Sequence, residues 1–171
     1  RPDFAIDSAQ TSFPLSFREI APGASDTERI GMRGRQNGSY NSELFRLLEE
    51  SSLSTHASPQ CLSACSYMGL ILAALIQGAD RDEVLAPEWK PLAALVRTSS
   101  FHSEVAEVAF GSFRRKKPPE IVGSGYVVKS LEAALWTFHD AKDFREAVLR
   151  AVNLGDDADT TGAVCGQLAG A

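Results

Sequence analysis

Cysteine is scarce in this chain and odd in number. Cys61, Cys65 and Cys165 are the only three in 171 residues, which is poor material for a disulfide framework and makes reduced thiols the expectation. Cys61 and Cys65 stand one helical turn apart in line with Met68 and Leu72, a pattern of small buried hydrophobes rather than of a zinc site shared with His56. Positive charge is also short, for 17 Lys and Arg against 22 Asp and Glu give a formal net charge of −5. That balance argues against a binder of nucleic-acid backbones or of anionic membrane surfaces. The one basic run, Arg114-Arg115-Lys116-Lys117 before Pro118-Pro119, reads as a solvated loop. Long apolar runs are missing too: the longest strongly apolar stretch, around Met68 to Ile76, is too short to span a bilayer, and no basic-then-apolar leader opens the chain. A soluble, cytoplasmic protein is expected, with no nucleic-acid and no membrane partner.

What is present is enough apolar material for one core, since 44% of the residues are hydrophobic and nine are Phe. Residues 1–40 hold Pro2, Pro14, Pro22, Gly23, Gly31, Gly34 and Gly38 without a sustained apolar period, and read as an irregular or disordered segment. Asn37-Gly38-Ser39 fits a glycosylation sequon but reads as a flexible turn. From residue 41 to 171 the pattern is helical. Leu44, Leu47 and Leu48 mark a first short helix, closed by Ser51 to Ser54. Ser58 can cap a longer one with Pro59 in its first turn, an apolar stripe of Cys61, Cys65, Met68, Leu72 and Leu75, and Gly78 at its end. Asp80 with Glu83, Ser103, and Asp143 with Glu146 mark three further helix starts. Val127, Val128, Leu131, Leu135 and Phe138 trace another helix; Trp89, Trp136, His102 and His139 read as packing or surface residues. No segment alternates like a strand for long. The class is all-α, a multi-helix bundle.

The densest chemistry lies in Gly155-Asp156-Asp157-Ala158-Asp159-Thr160-Thr161-Gly162, where three carboxylates and two hydroxyls fall within six residues ahead of a small-residue segment. Gly155 can end one helix and Asp159 can cap the next, which puts the turn at a helix N-terminus. Asp157, Asp159 and Thr160 can turn their oxygens to a common point there. Pooled carboxylates repel one another unless a cation neutralises them, so a divalent ion is the natural partner, with a plain capping turn as the alternative. A calcium EF-hand is excluded: counted from Asp157, the twelfth position should be a bidentate Glu and is Leu168.

That string resembles the C-terminal metal motif of the ADP-ribosylglycohydrolase family, Gly-Gly-Asp-Ala-Asp-Thr followed by a small-residue helix. Two further segments resemble the family in the same order: Thr55-His56-Ala57-Ser58-Pro59, and Gly123-Ser124-Gly125-Tyr126-Val127-Val128 with Leu131-Glu132-Ala133-Ala134-Leu135-Trp136. The resemblance implies an all-helical orthogonal bundle and metal-dependent hydrolysis of the bond between ADP-ribose and a protein side chain or related adduct. It implies that Asp157, Asp159 and Thr160 hold Mg2+ or Mn2+, with His56 and Asp157 catalytic. Gly123, Ser124 and Gly125 allow a close backbone approach by an anionic group or nucleotide edge, while Tyr126 either stacks on the adenine or packs in the core. Asp156 departs from the family pattern, where a second glycine is usual. The family's N-terminal acidic Thr-Asp-Asp-Thr type motif has only a weak echo in Ser25-Asp26-Thr27. Both ends read as cut, so the bundle is expected to be incomplete and the chain alone catalytically silent. A non-catalytic ADP-ribose-binding or crystallin-like member of the fold is the rival reading.

Overall fold

A computed structural model describes residues 35–36, 39–40, 42–98 and 100–171. Most of the segment expected to be irregular, and the Asn37-Gly38 dipeptide, lie outside the described residues. Two strands of two residues, β1 (Arg35–Gln36) and β2 (Ser39–Tyr40), pair antiparallel with Arg35 opposite Tyr40. Everything after them is helical: α1 (Ser42–Leu53), α2 (Pro59–Ile76), α3 (Arg81–Leu85), α4 (Lys90–Thr98), α5 (Ser103–Ala109), a 3-10 turn at Ser112–Arg114, α6 (Val127–Asp140), α7 (Phe144–Val152) and α8 (Ala158–Gly170). The all-α reading holds.

Local chemistry explains most of the boundaries. Ser58 Oγ accepts from the Cys61 N–H at the head of α2, and Pro59 occupies its first turn, where a missing N–H costs nothing. Gly78, at φ 86°, ends that helix in the left-handed conformation. Asp80 Oδ1 accepts from Asp82 N–H to start α3, and Asp143 Oδ1 accepts from Glu146 N–H to start α7, while Glu146 Oε2 reaches back to Lys142 N–H. His102 corrects the sequence reading: it caps α5, with Nδ1 accepting from Glu104 N–H at 3.3 Å. Helix α4 had no sequence signal beyond its own apolar spacing.

The central helix α2 corrects the reading twice. Its buried residues are Ser63, Ala64, Ser66, Tyr67, Leu70, Ile71 and Ala74, while Cys61, Cys65, Met68, Leu72 and Leu75 flank that face half-buried. A helix that is apolar almost all round carries no periodic signal of which stripe turns inward. Its 18 residues, with mean hydropathy 1.6, are also long and apolar enough to cross a membrane, longer than the run from Met68 suggests. Here α2 packs instead as the core helix, with Tyr67, Leu70 and Ile71 fully enclosed by the bundle.

Helices α6, α7 and α8 carry the acidic turn. Along α8, Gly162, Gly166 and Gly170 recur every fourth residue and face Val152, Val148 and Phe144 of α7. A methyl group on Gly162 would come within 2.8 Å of Val152, so the small-residue run is what lets the two helices close on each other and holds the turn between them. Arg81 ties α3 to the end of α6 by donating to the carbonyls of Phe138 (3.1 Å) and Ala141 (2.6 Å). The basic run is likewise structural rather than merely solvated. Arg114 donates to the Leu85 carbonyl at 3.1 Å, and Lys116 Nζ reaches Glu132 Oε1 at 2.6 Å.

Candidate active site

Helix α7 ends at Val152, and Gly155 turns the chain at φ 74° before the acidic residues. Asp156 follows in the left-handed region at φ 52°, a conformation that Asp tolerates better than most residues with a Cβ. Helix α8 starts two residues earlier than a cap at Asp159 would place it. The flanking position is Asp157, whose carbonyl accepts both the N–H (3.1 Å) and the hydroxyl (3.0 Å) of Thr161, so Asp159 falls inside the first turn.

The two ligand candidates meet. The Asp159 carboxyl is held below its ordinary value, foremost by a hydrogen bond with the Asp157 side chain and then by the backbone N–H groups of Asp159 and Thr160. Free N–H groups at a helix N-terminus favour negative charge in the same direction. Thr160 stands beside them, exposed; Thr161 is fully buried. Sequence reasoning passed over Thr161, although its place four residues after Asp157 is the register at which a hydroxyl bonds back to a carbonyl.

The glycine segment lies against this turn. Gly123 is buried so closely that any Cβ there would collide with the Gly155 carbonyl oxygen, and it would also sit 3.4 Å from Thr161 Oγ1. A Cβ on Gly125 would lie 3.3 Å from Asp157 Oδ2. Glycine is needed at Gly123, where the obstacle is backbone, whereas a Cβ at Gly125 would ask only a small shift of the Asp157 side chain. Ser124 Oγ accepts from Tyr126 N–H at 3.2 Å, and α6 then begins with Val127. Tyr126 is not a core residue: it stays 41% exposed. Its hydroxyl donates to Glu104 Oε2, and this contact, more than partial burial, raises the phenol above its ordinary value.

His56 lies in the turn that leads into α2. Gln60 and Cys61, in the first turn of that helix, are near enough to act on the Tyr126 phenol. The imidazole is exposed, and the turn beneath it is clamped by Ser52, whose carbonyl accepts from His56 N–H (2.8 Å) and whose hydroxyl donates to the His56 carbonyl (2.7 Å). Thus the acidic turn and the glycine loop are in direct contact, with Tyr126 close to the first turn of α2. Among the described residues no three His, Cys, Asp or Glu side chains gather as a metal site.

The donor set fits a hard divalent cation as part of a coordination shell: two carboxylates in mutual contact, a neighbouring hydroxyl and no soft ligand. Fold and site together define an all-helical domain with an acidic, oxygen-donor turn set against a glycine-lined helix N-terminus. The chain belongs to the ADP-ribosylglycohydrolase family, whose model matches residues 29–171. It is 38% identical over 123 residues to the ADP-ribosylarginine hydrolase Tri1 of Serratia proteamaculans (strain 568), covering 72% of this chain and 31% of that protein. To the protein of the same name from Pseudomonas putida (strain GB-1) it is 37% identical over 117 residues, covering 68% of this chain and 29% of that one. A solved structure titled ADP-ribosylglycohydrolase-related protein complex superposes with a TM-score of 0.66 at 34% identity, over 82% of this chain and 45% of that chain. The chain therefore spans less than a third of the length of these curated relatives.

Proposed function

We propose that this chain is the metal-binding part of an enzyme that hydrolyses the glycosidic bond between ADP-ribose and a protein side chain, with arginine, the acceptor in its relatives' names, as the first candidate. The observation that carries the reading is the packing of the Gly123–Gly125 backbone against the Asp157 carboxylate. It sets a helix N-terminus suited to a diphosphate beside carboxylates suited to a cation.

Asp157, Asp159 and Thr160 are the residues that would hold Mg2+ or Mn2+. When bound, such an ion supplies Lewis-acid and template chemistry at the ribose. The rest is asked of the chain itself. The N–H groups opening α6 receive the negative charge of the diphosphate, and Tyr126 offers a ring for the base. His56 and Asp157 orient the attacking water and take up its proton, while water oxygen bonds to the ribose anomeric carbon and the guanidine leaves with a proton, giving free ADP-ribose and arginine.

The test is release of free ADP-ribose from arginine-modified protein by the full-length gene product, with Mg2+ or Mn2+ and after chelation. Metal-dependent release that falls by roughly 100-fold or more in Asp157→Asn supports the reading, since lost ligands and their supports cost on that scale. Tight ADP-ribose binding with no release under any metal condition would favour the non-catalytic alternative. The 171-residue chain alone is expected to release none, because two contacting carboxylates make only part of a shell.

A further inference from the structure

Tyr126 is fixed at both ends while the residue stays 41% exposed. Its N–H donates to Ser124 Oγ at 3.2 Å, and its hydroxyl donates to Glu104 Oε2 at 2.6 Å. Glu104 is itself held on a braced element. It stands in the first turn of α5, where buried Ser63 of α2 accepts from His102 N–H at 2.9 Å and Val105, Val108 and Ala109 are sunk in the core. A hydrogen bond between two exposed groups adds little to folding stability, so the arrangement has no strong structural purpose. An aromatic ring preset at the mouth of a site, however, spares a planar ligand the entropy of ordering it.

We propose that Glu104 is a positioning residue: its carboxylate holds the Tyr126 ring as a ready platform for the planar base of a nucleotide-type ligand. The inference rests on the ADP-ribose reading above and names a group outside the three motifs. Glu104 acts through Tyr126, and its loss weakens binding while leaving the bond-breaking step alone.

The experiment uses the full-length protein, with ADP-ribose binding measured by calorimetry and hydrolysis of ADP-ribosylarginine followed separately. Glu104→Ala and Tyr126→Phe should each raise Kd and KM by about five- to tenfold with kcat held within about twofold, the scale of one charge-assisted hydrogen bond at an exposed site. Glu104→Gln keeps an accepting oxygen and should recover most of the loss. The double variant should be no worse than either single one, because a residue acting only through another adds nothing once that partner is gone. Thermal midpoints should stay together, which separates positioning from folding. An unchanged Kd in Glu104→Ala, additive losses in the double variant, or a fall in kcat instead of a rise in KM would overturn the proposal while leaving the functional reading intact. A wild-type protein that binds no ADP-ribose would overturn both.

Discussion

Two groups of carboxylates in this bundle show opposite ways of living with negative charge. Glu132, on α6, is 1% exposed and fully partnered: Lys116 Nζ at 2.6 Å, Lys129 Nζ at 3.4 Å and the Ser112 hydroxyl all point at it. Asp157, half-buried, and Asp159, exposed, lean on each other, and beyond that the Asp159 carboxyl is met by backbone N–H groups at the head of α8 rather than by a cation. In the first case the fold neutralises its own charge, and the acid ties the 3-10 turn and the 115–120 loop to the helix that opens at Tyr126. In the second the charge is left over, which is the signature of a group meant for something outside the chain. Both sit within family-like segments, so sequence position alone does not separate them. Burial and partners do.

The sharpest break of that contrast is at Glu132. Burial raises its carboxyl, but the hydrogen bonds from Lys116 and Ser112 and the charges of Lys116 and Lys129 outweigh it, and the net shift is downward. Removing the acid alone by Glu132→Ala strands the buried Ser112 hydroxyl, leaves a gap beneath the half-exposed Lys116 and Lys129, and should cost about 3 kcal/mol in urea unfolding. A paired Glu132→Met, Lys116→Met variant should regain a large part of that loss. The pH dependence has a fixed sign: a carboxyl depressed in the folded state gives stability that is complete above its unfolded value, about 4.3, and is lost as pH falls below it toward the folded value. A stability curve of Glu132→Gln parallel to wild type across the acid limb would show that Glu132 contributes no such term.

The opposite prediction applies to the Asp157 and Asp159 pair. Asp157→Asn with Asp159→Asn should leave the metal-free protein within about 0.5 kcal/mol of wild type, as surface substitutions do. It should erase the stabilisation by Mg2+ or Mn2+, about 2.7 kcal/mol at a hundredfold excess over Kd. Thermal melts of the full-length protein with and without the ions measure it, and an equal response in the double variant would refute the site.

How much of this was legible beforehand follows the same division. The acidic turn, the glycine loop and the caps at Ser58, Asp80 and Asp143 depend on residues a few positions apart, and local spacing reports them faithfully. What spacing hides is whatever needs a third dimension. The face of α2 that turns inward was unreadable because the helix is apolar nearly all round, and Lys116 looked like solvent charge because its partner is 16 residues away. Tyr126 stayed undecided between core and surface until its bond to Glu104, 22 residues distant, placed it in water. Gly162, Gly166 and Gly170 read only as a small-residue segment, although their interval of four is the spacing that places them on the one face that meets α7.

Gly123 offers a moderate test of how tightly the two halves of the site are joined. A methyl group there has no room beside the Gly155 carbonyl, and backbone does not yield as a side chain can. Gly123→Ala should destabilise by about 1–3 kcal/mol, the cost of overpacking, and should also weaken the metal-induced rise in thermal midpoint, because the displaced turn carries Asp157. Loss of stability with an undiminished metal response would mean that the loop and the ion site are independent.

Asp156 carries the smallest expected effect and the finest distinction. Its φ of 52° is the backbone state that glycine adopts freely, and its side chain is exposed, so it is not needed for packing. Asp156→Gly removes the left-handed strain but gives the unfolded chain more freedom, and the two nearly cancel, leaving a gain of about 0–1 kcal/mol. Its charge is the separate matter. An exposed negative group on the turn costs an anionic ligand docked within a Debye length of it about 0.5 kcal/mol after screening, so ADP-ribose should bind about twofold tighter once it is gone. Asp156→Asn keeps the tolerance for the turn and removes only the charge. Tightening in both variants assigns the effect to charge, and tightening in Asp156→Gly alone assigns it to the backbone. A large loss of binding in both would make Asp156 a third working carboxylate, and the surplus charge of this turn would then be greater than the Asp157 and Asp159 pair accounts for.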